Sequence, residues 1–178
     1  MLIDNSITSN RLIMHTLDES HATARYLSWM NNLNILRYLE IKNNPPESIE
    51  SLSDYISKIN DSNNALLLGI FLKRNMMHVG NIKLDPIDVD RSTADIGFLI
   101  GEEKYWGCGY ATEAISKVTD YMFNTMRLKK IIAGCYKDNT GSKKSLLKSG
   151  FLPDKSNYPH IDLTKRGGKF ILFSKVKE

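Results

Sequence analysis

Residues 94–122 constrain this chain more than any other stretch. Ala94-Asp95-Ile96-Gly97-Phe98-Leu99-Ile100 reads as a buried strand. Trp106-Gly107-Cys108-Gly109-Tyr110 then turns into a helix whose apolar residues Ala111, Ala114, Ile115, Val118 and Met122 share one face. Glycines at 107 and 109 let the backbone turn sharply and come close to a ligand. The first N–H groups of the helix lack intrahelical partners and carry the positive end of its dipole. A strand, a glycine turn and a helix start in this order make a cradle for an anion such as phosphate.

Length and composition bound the class. The chain has 178 residues, 42% of them hydrophobic and 25% charged, which predicts one globular domain over 1–178 with a sizeable core. No apolar run approaches the roughly 20 residues of a membrane span, and the start Met1-Leu2-Ile3-Asp4-Asn5 lacks the features of a secretory signal. The expectation is a cytoplasmic protein with no membrane partner. Cys108 and Cys135 are too few for a disulfide framework and read as reduced thiols, and His15, His21, His78 and His160 show no metal-ligand spacing, so no metal site is expected. The net charge of +4 gathers in Arg127-Leu128-Lys129-Lys130, Lys143-Lys144, Lys148 and the carboxyl-terminal lysines. No stacking aromatics or DNA-reading motif accompanies it, which argues against nucleic acid and for a solvated face that also attracts a small phosphate ligand.

The periodicities predict a mixed order of elements. A strand over 11–15 precedes a helix through Ala22, Tyr26, Leu27 and Met30, with Asp18 as its candidate cap. Asn43-Asn44-Pro45-Pro46 breaks the chain, and a second helix runs from about Pro46 through Leu52, Tyr55, Ile56 and Ile59. Three antiparallel strands follow over 65–72, 77–84 and 94–100, with turns at Arg74-Asn75 and Pro86-Ile87-Asp88. After the cradle helix come a strand over 130–136, a helix from about Thr140 closed by Gly150, and strands near Phe151 and over 168–176. No repeat, low-complexity tract or linker interrupts them.

This order resembles the GCN5-related N-acetyltransferase (GNAT) family. Its signature places Gln or Arg, two residues, Gly, one residue, then Gly or Ala at the start of the helix that holds the pyrophosphate of acetyl-coenzyme A. Here Trp106-Gly107-Cys108-Gly109-Tyr110-Ala111 matches the last two positions and carries tryptophan at the first. The run Trp-Gly-x-Gly-Tyr-Ala-Thr-Glu-Ala is similar to the branch of ribosomal-protein N-acetyltransferases and related small-molecule acetyltransferases. Asn139, Ser142 and the closing Gly150-Phe151 keep the spacing of the family's other cofactor segment, and Arg11-Leu12-Ile13 extends the likeness to nearly the whole chain. The resemblance implies an α/β (α+β) fold with a mixed, mostly antiparallel central sheet of about seven strands, flanking helices and one splayed strand pair. It implies acetyl-CoA as co-substrate, held by Leu99, Ile100, Trp106, Gly107, Cys108, Gly109, Tyr110, Ala111, Thr112, Asn139 and Ser142.

Acetyl transfer to an amine needs a neutral nucleophile, polarisation of the thioester carbonyl and a proton for the departing thiolate. The free N–H groups of the strand ending at Leu99-Ile100 would serve the acetyl and pantetheine groups. Asp95 is the candidate general base, standing where relatives carry a glutamate; one methylene shorter, it suits action through a bridging water. Its other reading is a solvated strand carboxylate. Where many relatives have a tyrosine proton donor, seven residues after the asparagine, this chain has Leu146, so no dedicated acid is assigned; Tyr136, Tyr110, Ser142 and solvent are the substitutes. Asn139 suits both a helix cap and a pantetheine contact. Lys143 and Lys144 suit either a solvated face or the adenosine phosphate, and Trp106 a packing anchor rather than a lid. Cys108, with no histidine placed to activate it, is not read as a nucleophile.

Acceptor recognition is expected from Arg37 and Tyr38, within the stretch that also holds Glu40 and Lys42, and from the loop over 153–168. Three readings follow. The first is transfer to the primary amine of a small metabolite such as a nucleotide-linked amino sugar, the second modification of a protein amino terminus. The third is a non-catalytic acyl-CoA- or nucleic-acid-binding module. A homodimer stays open as the oligomeric state.

Overall fold

The structure, a computed structural model, describes residues 1–156, 158, 161 and 169–178, with nothing described of the Glu40 side chain. His160, Gly168 and much of the 153–168 loop expected to close the acceptor site lie outside the described residues.

Eight described strands form one open sheet in the order β1-β2-β3-β4-β5-β6-β8-β7. They are β1 (Ile7–Thr8), β2 (Leu12–Thr16), β3 (Leu66–Leu72), β4 (Met77–Asp88), β5 (Thr93–Ile100), β6 (Lys130–Tyr136), β7 (Leu152–Asp154) and β8 (Phe170–Val176). Every neighbouring pair is antiparallel except β5 with β6. The strand beyond the expected seven is β1, two residues long and too short to show a period.

The helices occupy both faces. Every residue of β3 is buried, as a strand covered on two sides requires. Leu66, Leu68 and Ile70 face α4 (Tyr110–Asn124), whose Ala114, Ile115, Val118 and Met122 are wholly buried against them. Leu67 and Phe71 face the other way, onto Tyr26 and Trp29 of α1 (Ala24–Met30) and Leu52 and Ile56 of α3 (Ile49–Asn60). Each large aliphatic side chain buried this way contributes roughly 1.5–3 kcal/mol.

Several boundaries differ from the sequence reading, for local reasons. Asp18 caps only a short 3-10 turn, Glu19–His21; the helix proper starts after Thr23, whose hydroxyl accepts from the Tyr26 N–H. Likewise α3 begins after Ser48, in a reciprocal cap with Ser51, rather than at Pro46. A four-residue helix α2 (Leu33–Leu36) lies between them, too brief for a periodic signal. Pro86-Ile87-Asp88 is not a turn: β4 continues through it, with Asp85 and Pro86 bulged opposite the single residue Asp95, and the chain reverses after Asp88. By contrast β6 and the start of α5 (Thr140–Lys148) stand where the pattern places them, and Gly150 ends the helix at φ +83°.

Candidate active site

The site begins with a strand pair that comes apart. β5 and β6 pair in parallel only from Thr93↔Lys130 to Ile96↔Ala133. Beyond that level β5 keeps its bonds to β4 through Gly80↔Ile100, and β6 keeps its bonds to β8 through Tyr136↔Phe170. Each strand has a glycine at the first unpaired level, Gly97 and Gly134. A Cβ on Gly97 would meet nothing within 4 Å, so the sheet face there is open. Unpaired strand edges are costly in a protein interior unless a ligand or solvent takes up their N–H and C=O groups.

The opening leads into a cavity of about 230 Å³. Its floor is a polar row on β4 and β5, comprising Asn81, Lys83, Asp85 and Asp95 beside Gly97 and Leu99. Asn139, Ser142 and Cys135 line the β6–α5 side, and Tyr26, Tyr38, Leu39 and Tyr55 come from the helical side. The bulge opposite Asp95 increases the local twist of β4 just where this carboxylate stands, a common device for re-aiming a side chain. Lys83 Nζ lies 3.0 Å from Asp85 Oδ2. Burial pushes the Cys135 thiol up to about 11, against the pull of the Ser142 hydroxyl and the Lys143 charge.

Asn139 caps α5, its Oδ1 accepting from the Ser142 N–H at 3.0 Å. That bond uses the amide oxygen and turns Ser142 onto the same side. The opposite lip is held by Lys42, whose Nζ donates to the Tyr136 hydroxyl at 3.0 Å, and by Tyr38, whose ring lies 6.1 Å from that of Tyr136. Leu146 is wholly buried in the core and offers no proton donor.

The cradle stands on the surface beyond the strand end. Gly107 and Gly109 adopt φ +75° and +82°, a region that side chains rarely enter, and Gly109 caps α4 with no side chain covering its first N–H groups. Trp106 is not a core anchor. It is 44% exposed, and its Nε1 donates 2.7 Å to the carbonyl of Ile100, tying the turn to the end of β5. Cys108 is exposed and its carbonyl accepts from Arg11 Nη1 at 3.0 Å.

Arg11 organises the cradle, a role not apparent from the sequence. Its Nε and its own backbone N–H bond to Glu113 at 2.7 and 2.8 Å, the Ser9 hydroxyl adds 2.7 Å, and its guanidinium lies 4.4 Å from the Tyr110 ring centre. Burial pushes the Glu113 carboxyl upward, but these bonds from Ser9 and Arg11 outweigh it and hold the group below its ordinary range. The acid in the first turn of α4 is thus consumed by Arg11, leaving the helix start electropositive. Ser149 donates to the Thr112 carbonyl at 3.2 Å and fastens the end of α5 to this turn.

Of the residues singled out in the sequence, Asp95, Leu99, Asn139, Ser142 and Tyr38 meet around the cavity. Trp106, Gly107, Cys108, Gly109, Tyr110, Ala111 and Thr112 form the cradle, with Ile100 joined to it through Trp106. Arg37 does not line the cavity; its guanidinium lies 4.6 Å from the Tyr38 ring centre. Lys143 and Lys144 are exposed. Arg11, Asn81, Lys83 and Cys135 were missed as site residues because each depends on which strands become neighbours. Among the described residues no group of three or more His, Cys, Asp or Glu side chains is placed to hold a metal ion. No helix of the described chain is long and apolar enough to cross a membrane.

Known proteins share the sequence pattern and the fold. A family model described as an acetyltransferase (GNAT) domain matches residues 11–152. The N-acetyltransferase YoaA of Bacillus subtilis (strain 168) is 30% identical over 148 residues, 82% of this chain and 81% of its own. The N-acetyltransferase p20 of Bacillus licheniformis is 28% identical over 157 residues, 84% of this chain and 86% of its own. Among solved structures, the ribosomal alpha-N-protein acetyltransferase RimL in complex with coenzyme A superposes with a TM-score of 0.79 at 17% identity, covering 97% and 98% of the two chains. The microcin C7 self-immunity acetyltransferase MccE, in complex with acetyl-CoA and AMP, superposes with a TM-score of 0.75 at 21% identity over 95% and 94%.

Proposed function

The chain belongs to the GNAT acetyltransferase family, whose members use acetyl-CoA, and we propose that it is an N-acetyltransferase for the primary amine of a small metabolite, with a nucleotide-linked amino sugar as the leading class. The observation that carries this reading is the β5–β6 splay opening onto a cavity walled by aromatic rings and floored by Asn81, Lys83, Asp85 and Asp95. Modification of a protein amino terminus is the competing acceptor class.

The residues present fit acetyl-CoA. Gly109 at φ +82° and the uncapped start of α4 suit a pyrophosphate, with Gly107, Cys108, Tyr110, Ala111 and Thr112 supplying backbone and Trp106 bracing the turn. The β5 edge at Leu99 and Ile100 and the β6–α5 side at Asn139 and Ser142 suit the pantetheine arm. When bound, the co-substrate supplies an activated acetyl thioester. The chain's own contribution is positional and protonic. Strand-edge N–H groups polarise a carbonyl without reorganising. Asp95, through a water, accepts a proton from the ammonium form of the acceptor, and Tyr38, whose ring carries the Arg37 guanidinium, lines the acceptor's side of the cavity. Leu146 offers no hydroxyl, so no dedicated acid is assigned and solvent protonates the leaving thiolate.

The test is a screen of primary amines, including nucleotide-linked amino sugars and amino-terminal peptides, with free thiol release as readout. Turnover on peptides with none on small amines would overturn the metabolite class. Asp95→Asn should displace the acid limb of the pH–rate profile while leaving acetyl-CoA affinity intact, and an unchanged profile would remove Asp95 as the base.

A further inference from the structure

One wall of the cavity holds a polar group for which acetyl transfer by itself has no use. Asn81 is 3% exposed, lines the cavity and stands opposite Leu99 in the β4–β5 register. His78 Nε2 lies 3.1 Å from the Gly80 carbonyl oxygen and 2.8 Å from Asn81 Oδ1. A carbonyl can only accept, so Nε2 carries the proton and serves both oxygens. The amide oxygen of Asn81 therefore faces His78, and its NH2 is directed elsewhere. That Nδ2 is buried with no hydrogen-bond partner among the described residues. A donor left unpaired in an interior is costly, and beside a cavity a ligand oxygen is one group that can satisfy it.

His78 is itself locked. Its ring stacks 4.7 Å from Phe71 and meets the edges of Trp29 at 4.9 Å and Tyr26 at 5.5 Å. Burial drives its pKa down to about 4, so the imidazole is neutral near pH 7 and keeps a single tautomer. The amide of Asn81 is thus oriented in advance rather than free to rotate.

We propose that Asn81 is an acceptor-recognition residue whose Nδ2 donates to a neutral oxygen, hydroxyl or carbonyl, close to the reacting amine, and that His78 is the positioning residue for its amide. This deepens the acetyl-transfer reading and rests on it. An amide NH2 is an uncharged donor, and the neighbouring cation on the same row, Lys83, is already paired with Asp85, so this wall is not built for a free anion. Asn81 sits level with Leu99 at the splay, one strand spacing of about 4.8 Å from β5. Only an oxygen within a few bonds of the amine reaches it. The ligand class is an amine with an adjacent oxygen, as in an amino sugar with a neighbouring hydroxyl.

Calorimetry with the full chain and coenzyme A tests this without turnover, using a nucleotide-linked amino sugar that carries a hydroxyl next to its amine and the analogue lacking that hydroxyl. Wild type should prefer the hydroxylated sugar by about tenfold to a hundredfold. Asn81→Leu should bind the two alike, and His78→Phe, which keeps a ring in the stack, should lose most of the preference. Both should retain acetyl-CoA affinity, which also reports that they fold. Asn81→Asp, nearly identical in shape, removes the donor by a second route and should lose the preference too. A wild type indifferent to the hydroxyl, or folded Asn81 variants that keep the preference, overturns the assignment. Acetylation of amines by wild type in the screen above stands apart from that outcome, so failure here and failure of the acetyl-transfer reading are distinguishable.

Discussion

Glu113→Gln is the sharpest probe of the cradle, because it keeps the size of the side chain and changes only its charge and one oxygen. Glu113 accepts from the Ser9 hydroxyl, the Arg11 backbone N–H and Arg11 Nε, all at 2.7 to 2.8 Å. A carboxamide can satisfy part of this set but presents an NH2 to at least one donor, in place of a charge-assisted bond of about 1.5–3 kcal/mol. The Arg11 side chain is 43% exposed, so solvent screening trims the loss to about 1–2 kcal/mol. For a chain of this size that lowers Tm by roughly 2–8 °C. The folded-state pKa of Glu113 lies below its unfolded value, so its stabilisation is fully present above the unfolded value of about 4.5 and is lost as pH falls through the folded one. Urea unfolding of wild type and variant should therefore show a gap at pH 7 that narrows as the pH falls below the unfolded value of about 4.5. In the same variant Arg11 loses its anchor and holds the Cys108 carbonyl less firmly, so acetyl-CoA affinity measured by calorimetry should fall severalfold. Equal stabilities at pH 7, or a gap that does not change with pH, would refute the account of Arg11 and Glu113 as the brace of the cradle.

Gly109→Ala should cost about 1–2 kcal/mol, because φ +82° is strained for a side chain, while its Cβ meets Arg11 Nη2 at an ordinary 3.4 Å; chemical denaturation measures that cost, and a loss of acetyl-CoA affinity beyond tenfold marks the site. His78 has a folded pKa of about 4 against 6.5 unfolded, so its contribution is complete above pH 6.5 and declines as pH falls toward 4, by an amount on the order of 3 kcal/mol. His78→Phe should accordingly flatten the stability–pH curve in that window, and an unaltered slope would contradict its burial as a neutral ring. Cys108 is exposed and Cys135 buried with a thiol pushed up to about 11, so iodoacetamide should label one thiol in the native protein and the second only after denaturation, as read by mass spectrometry.

The residues that were legible in sequence are those whose role is local. A turn with glycines at 107 and 109 before a helical apolar face needs no distant partner to be recognised, and neither does an asparagine starting a helix three residues before Ser142. Pro86 and Asp88 misled for the same reason. Their composition is that of a turn, but the antiparallel neighbour β5 carries the chain through as a bulge. Trp106 reads as core by type, yet its indole N–H is spent on the Ile100 carbonyl at the surface.

Spacing along the chain carries the longer elements, the glycine turn at the start of α4 and the family likeness, all of which are legible without distant partners. What surrounds the cavity depends instead on which strands become neighbours. Arg11 reaches Glu113 because β2 lies near α4 in space, and His15, His21 and His78, far apart in sequence, gather around Phe71 because β2, β3 and β4 are neighbours in the sheet. Asn81 acquires its direction from a histidine whose tautomer is set by the Gly80 carbonyl. The proposed cofactor cradle is built of backbone and a helix start, which leave a trace in spacing; the side chains proposed to meet the acceptor come together across strands, which leaves none.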